Sequence, residues 1–272
     1  MKILFIGDIV GKPGRRALKE LLPKLIGNRG IDIVIANCEN AAAGFGVTRD
    51  VVEELYENHI DILTSGNHIW DKKEIIDFIG DYETLLRPAN YPQQVPGSGA
   101  VVVPTALGES VGVLNLAGRI FMQPIDCPFL TARGEIAALK KKTKVIIVDI
   151  HAEATSEKKA LGWYLNGEVS AVLGTHTHVQ TADEEILSGG TAYLSDVGMT
   201  GSFNSVIGVR KEAIIERFLT GIPNKFDIAK GDIRLQGALL DIDSATGKAN
   251  SIERISVRLE EKAEADEDEE RL

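Results

Sequence analysis

The sequence has only two cysteines, Cys38 and Cys127, and they form no metal-type or redox pair. No disulfide framework is expected, and reduced thiols in a soluble cytoplasmic protein are the default. No apolar stretch approaches ~18 residues, which argues against a membrane-spanning helix. The opening MKILFIGDIVGKPG is too short and too soon polar for a signal peptide, since Asp8 interrupts its apolar run. A net positive charge is lacking as well. The net charge is -10, of which the last 13 residues, EEKAEADEDEERL, carry -6 and the remaining body only -4. A body of that kind is a poor partner for long nucleic acids. It admits a small anionic substrate, because bound cations reverse the local field. Internal repeats and linkers are missing too. With 272 residues, 44% of them hydrophobic, the chain is read as one large domain over residues 1–260 and an acidic, solvated tail over 261–272.

Apolar, strand-like runs alternate with helical patterns. Strands are expected at residues 2–6, 31–36 and 60–65. Helices are expected at 14–28, where Pro23 should kink or shorten the helix, in the segment capped by Thr48, and at 72–79. Two successive β-α-β units imply a parallel sheet. After Arg87 the texture changes. Residues 99–104 and 110–116 read as an antiparallel pair, 121–129 as an irregular loop with exposed apolar side chains, and 129–142 as a helix. A strand at 144–149, a helix at 156–165 and strands at 169–173 and 191–194 follow. Residues 210–220 fit either a strand or a short helix, and 235–243 with 251–259 read as a closing hairpin.

Four of the five histidines sit in short polar clusters that each follow an apolar run. The clusters hold Asp8; Asn37, Glu39 and Asn40; Asn67 and His68; Asp149 and His151; and His176 and His178. Ligands of open α/β sheets bind at the carboxyl ends of strands, so the five clusters point to one polar site with oxygen and imidazole donors for two metal ions. In an extended segment His176 and His178 would face one side. Taken singly, each cluster has a plainer reading: a helix cap at Asp8, a turn at residues 37–40, satisfied structural residues elsewhere. His59 is expected in a helix without function. Cys38, facing away from Glu39, is expected as a small buried filler. Residues 7–13 fail the phosphate-loop pattern, with Pro13 in the Ser/Thr place.

The order Asp8, the NCEN of residues 37–40, the GNH of 66–68, His151 and the GTHTH of 174–178 resembles the ligand order of calcineurin-like metallophosphoesterases. The closer resemblance is to their YmdB-like branch, carried by residues 7–15, 37–40, 66–71, 87–92, 126–129, 149–158 and 174–183. It implies an α/β fold, a four-layer α/β/β/α sandwich. It also implies a binuclear centre of divalent or mixed-valence ions, iron or alternatively manganese. By that pattern Asp8, Asn40 and His178 hold one metal, Asn67, His151 and His176 the other, and Glu39 bridges. The wider superfamily carries D-x-H at the first strand and a bridging Asp; here Val10 and Glu39 stand in those places, and Asn40 fills the ligand position. The implied activity is hydrolysis of small phosphodiesters through a bridging hydroxide, with 2′,3′-cyclic or 3′,5′-cyclic AMP as substrates. His68 is expected to act as the catalytic proton donor or charge stabiliser, and Asn40 and His68 are expected to contact substrate. A phosphomonoesterase or 5′-nucleotidase and a nucleotide-sensing regulatory protein are the alternatives, with a homo-oligomer compatible with each. Phe45, Trp70, Tyr91, Phe121 and Phe129 are candidates for stacking on a base.

Overall fold

The computed structural model describes residues 1–105 and 108–260; the acidic tail expected over 261–272 lies outside them. β1 (Lys2–Ile6) and the short β2 (Asp8–Ile9) lead into α1 (Gly11–Arg29). β3 (Ile33–Asn37), α2 (Arg49–Glu57), β4 (Ile62–Thr64) and the single turn α3 (Ile75–Phe78) follow. β5 (Ala100–Pro104) and β6 (Ser110–Ala117) are antiparallel. α4 (Pro128–Leu139), β7 (Val145–His151), α5 (Thr155–Tyr164), β8 (Ala171–Thr175), β9 (Glu185–Ile186) and β10 (Ala192–Leu194) come next. β11 (Met199–Ser202), α6 (Lys211–Thr220) and the long hairpin β12 (Ile233–Asp243) and β13 (Lys248–Arg258) close the described chain.

Strand periodicity assembles the layers. In β1, Leu4 and Ile6 face α1 and α2, while Ile3 and Phe5 face the other sheet. β7 repeats the division: Val145 and Ile147 meet the first sheet, and Ile146, Val148 and Ile150 pack under α4 and α5. Side chains of period two supply both faces of each sheet. Three apolar interfaces therefore separate four layers, the α/β/β/α sandwich that the resemblance implies. One sheet runs β2-β11-β12-β1-β3-β4, with β13 on the other side of β12; the second runs β5-β6-β7-β8-β10-β9. β1, β3 and β4 are parallel, as are β6, β7 and β8, so their carboxyl ends gather along one rim. No helix among the described residues is long and apolar enough to cross a membrane.

Several local expectations need correction. α1 starts at Gly11 and runs unbroken through Pro23 to an αL cap at Gly30. Pro23 lies on the exposed face, and burial of Ala17, Leu18, Leu21 and Leu22 against the sheet outweighs the hydrogen bond it removes. His59 follows α2 in a left-handed conformation instead of lying within it. Residues 211–220 are a helix. Thr48 does cap α2, accepting the Val51 N–H at 3.4 Å, and Cys38 is buried in the core beneath α1 and α2.

Candidate metal centre

The two sheets contribute separate halves of one cluster. Asp8, Glu39, Asn40, Asn67 and His68 come from β2 and from the loops after β3 and β4; His151 ends β7, and His176 and His178 follow β8. His151 Nε2 lies 3.0 Å from Glu39 Oε1, 3.2 Å from Asn67 Oδ1 and 3.0 Å from His176 Nδ1. The ligand atoms of Glu39, His151 and His176 all fall within 4.8 Å of one another. Beside them, Asp8 Oδ1 is 3.8 Å from both His178 Nε2 and His151 Nδ1, too far for a hydrogen bond. Asp8 Oδ1 and Asn40 Oδ1 are buried with no hydrogen-bond partner among the described residues.

Partners behind these groups fix which atoms face inward. Asn40 donates its Nδ2 to the Gly44 carbonyl at 2.9 Å, which leaves its oxygen for the site. His178 Nδ1 donates to the Ile207 carbonyl at 2.9 Å, so Nε2 keeps its lone pair. His176 Nε2 contacts Glu153 Oε2 at 3.1 Å, which turns Nδ1 toward His151. Thr175 Oγ1 donates to Asp149 Oδ1 at 2.7 Å and accepts from His151 Nδ1 at 2.9 Å. Carboxylates and carbonyls behind imidazoles orient metal-ligating histidines in this manner.

Burial and close packing of acids and imidazoles shift the protonation of the whole cluster. Burial pushes the Asp8 carboxyl above its ordinary range, against the pull of His178 and His151. Burial likewise raises Asp149 to about 7. Burial also disfavours an ionised Glu39, but the His151 ring outweighs it through charge and hydrogen bond and lowers Glu39 to about 2. His151 is raised to about 9, because Glu39, Asp8 and Asp149 overcome the burial penalty. His176 drops to about 3 through burial and the adjacent His151 charge. A proton on His151 offsets part of the buried negative charge, and divalent cations fit the rest. The donor set is imidazole nitrogen, carboxylate oxygen and neutral amide oxygen without thiolate, a set that hard and borderline divalent metals accept.

The histidine pair after β8 is not extended. His176 and His178 have φ of 99° and 63°, a region that side chains with a Cβ adopt at a cost of about 1–3 kcal/mol each. The two rings therefore reach different neighbours. Asp196 holds this loop, accepting from Thr177 N–H at 3.0 Å, Thr177 Oγ1 at 2.8 Å and Lys158 Nζ at 2.8 Å. Lys158 and Asp196 are both buried. Lys158→Met is expected to lower unfolding free energy by about 3–5 kcal/mol, because it strands a buried carboxylate; urea denaturation measures it. A loss below about 1 kcal/mol would show that Thr177 and the Gly198 N–H, which donates to Asp196 Oδ1 at 2.9 Å, already satisfy Asp196. Gly66 is needed for approach: a Cβ there would overlap the His151 ring.

His68 stands beside the cluster. Its backbone N–H donates to Glu39 Oε2 at 2.9 Å, and its Nδ1 meets Asp71 Oδ2 at 2.7 Å. Asp71 and Thr175 are partners that sequence reasoning missed. The three-residue spacing of His68 and Asp71 was the available signal for one; nothing marks Thr175. Glu39, Asn40, His68, His176 and His178 line a cleft of ≈ 520 Å³. Of the five stacking candidates, only Phe45 lines it, edge-on to His68 at 5.1 Å. Trp70 and Tyr91 border a different cleft, Phe129 packs on Tyr164, and Phe121 is exposed.

Known proteins resemble this chain in sequence and in fold. Residues 4–255 match the family described as YmdB-like protein. A 2′,3′-cyclic-nucleotide 2′-phosphodiesterase of Bacillus subtilis (strain 168) is 52% identical over 257 residues, covering 94% of this chain and 97% of that one. The crystal structure of a hypothetical protein from Thermus thermophilus superposes with a TM-score of 0.89 at 42% identity, over 95% of this chain and 99% of the other. A crystal structure described as a novel phosphatase, from Mycoplasma pneumoniae, also gives 0.89, at 34% identity over 95% and 93%. A family match over nearly the whole chain, joined to a relative more than half identical over nearly its full length, shows that this chain belongs to the YmdB-like family.

Proposed function

We propose that the protein is a binuclear metal-dependent hydrolase of small phosphodiesters, with 2′,3′-cyclic nucleotides as the foremost substrates and 3′,5′-cyclic AMP as a second. The carrying observation is the convergence of Glu39, Asn67 and His176 on the buried His151 ring, with Glu39 and His176 also lining an open cleft. The activity for which the Bacillus subtilis relative is named supports the substrate class. Asp8, Asn40 and His178 would hold one cation, Asn67, His151 and His176 the other, and Glu39 both. Iron is the proposed metal, with manganese as the alternative. Bound there, the cations supply Lewis acidity toward water and the phosphate oxygens.

The chain's own groups do the remaining work. His68, held by Asp71, presents its ring to the cleft and donates a proton to the departing alkoxide or steadies its charge. Asn40 and the His68 side chain position the phosphate. The phosphatase description of the Mycoplasma pneumoniae structure keeps a phosphomonoesterase as the second reading.

Protein purified without added metal should carry about two iron or manganese ions per chain. Its turnover should track occupancy and favour bis-p-nitrophenyl phosphate over p-nitrophenyl phosphate. Two metals with the monoester preferred would favour the phosphatase. Two metals with nucleotide binding and no turnover would indicate a sensing protein. No metal after reconstitution would remove the proposal.

A further inference from the structure

The cleft has a second wall that the proposed chemistry does not use. It is built by residues 206–228, around α6. None of the α6 residues is buried, and Phe218 is 85% exposed although it borders the cleft. Phe45 and Phe226 also line the cleft. Arg217 is the only Lys or Arg among the described lining residues, and it has no ion-pair partner among the described residues. Its guanidinium instead lies 4.9 Å from the centre of the Phe226 ring, which leaves its N–H edge for a ligand.

This wall is attached to the floor. The Ile207 carbonyl receives the His178 Nδ1–H. Val209 bridges to Ile228, and Ile228 packs so closely on Gly44 that a Cβ at Gly44 would overlap it; Gly44 in turn accepts the Asn40 amide. Phe45 continues the aromatic surface to His68. A ligand whose phosphate reaches the histidines therefore has an aromatic and cationic surface at a set distance from its reacting end.

We infer that Phe218, Phe226 and Arg217 form a nucleobase subsite, resting on the phosphodiesterase reading above. A base is flat, has a π face for Phe218 and carries ring acceptor atoms for a guanidinium. Aliphatic esters offer neither. Substrate preference would then be set by a helix that contributes no group to the chemistry.

The test compares metal-loaded wild type, Phe218→Ala and Arg217→Met on adenosine 2′,3′-cyclic phosphate and on ribose 2′,3′-cyclic phosphate, the same diester without a base. The wild-type ratio of kcat/KM should favour the nucleotide by about 5- to 150-fold, the range of one base–aromatic stack. Each variant should bring that ratio toward one, mainly through KM. A wild-type ratio near one overturns the subsite, as does a parallel loss on both substrates. So does an intact ratio accompanied by an altered sedimentation coefficient, which would assign the α6 face to contact between copies. If wild type turns over neither compound, the phosphodiesterase reading fails separately. Adenosine 2′-monophosphate binding by calorimetry then decides the subsite: weaker binding to Phe218→Ala supports it, and equal binding overturns it.

Discussion

His68→Ala is expected to lower phosphodiester turnover by about 10²- to 10⁴-fold, the range for a positioned proton donor, while metal content stays at the wild-type level. Only the backbone N–H of His68 touches the cluster, at Glu39 Oε2, and alanine keeps that bond. The lost ring is tied to Asp71 and Phe45, neither of which is a proposed ligand. Measuring metal by elemental analysis and turnover on the same sample separates the roles. Metal falling in proportion to activity would make His68 a ligand or its support. Asp71→Asn should give a smaller loss in the same direction, since it weakens the hold on the ring without removing it.

The second large effect concerns Glu39. Its carboxylate reaches His151 Nε2 at 3.0 Å and His68 N–H at 2.9 Å, and it is buried. Glu39→Ala should weaken metal binding by more than the 10- to 100-fold that follows loss of an outer partner, with turnover falling to background. The same variant bears on stability. Wild type should lose about 2.7 kcal/mol when a metal present at a hundred times its dissociation constant is chelated, and Glu39→Ala should show little response to chelator. Thermal unfolding with and without chelator reads both. An equal shift in the two proteins would mean that Glu39 does not hold the ion.

Much of this arrangement was legible because strand ends carry a double signal. At residues 33–37 and 145–151 an apolar run stops and polar residues begin, so both the element and the rim position can be read from the chain. The alternation of Ile3 and Phe5 with Leu4 and Ile6 is visible in the same way and prefigures two buried faces. Local pattern fails where tertiary contacts decide the conformation. Pro23 is tolerated because the apolar face of α1 is already committed to the sheet. His176 and His178 take left-handed backbone because Asp196 and Ile207 hold the loop, and both partners are distant or carry no sequence signal. The α6 wall escaped for another reason: Ile214 and Phe218 stand one helical turn apart, but the importance of Phe218 and Phe226 arises from the cleft they border.

The division of the cluster between two sheets has a mechanical consequence. Cations gripped by Asp8, Asn40 and Asn67 on one side and by His151, His176 and His178 on the other would act as rivets across the apolar seam between the sheets. Such a rivet cannot be set before the halves have docked, since neither half alone presents a full donor set. Its withdrawal would leave that seam with one tie fewer. Metal exchange in the finished molecule should therefore be slow and should quicken with whatever loosens the inter-sheet packing, even far from the rim. An Ile147→Ala or Phe5→Ala cavity would be felt first as a leaky metal centre.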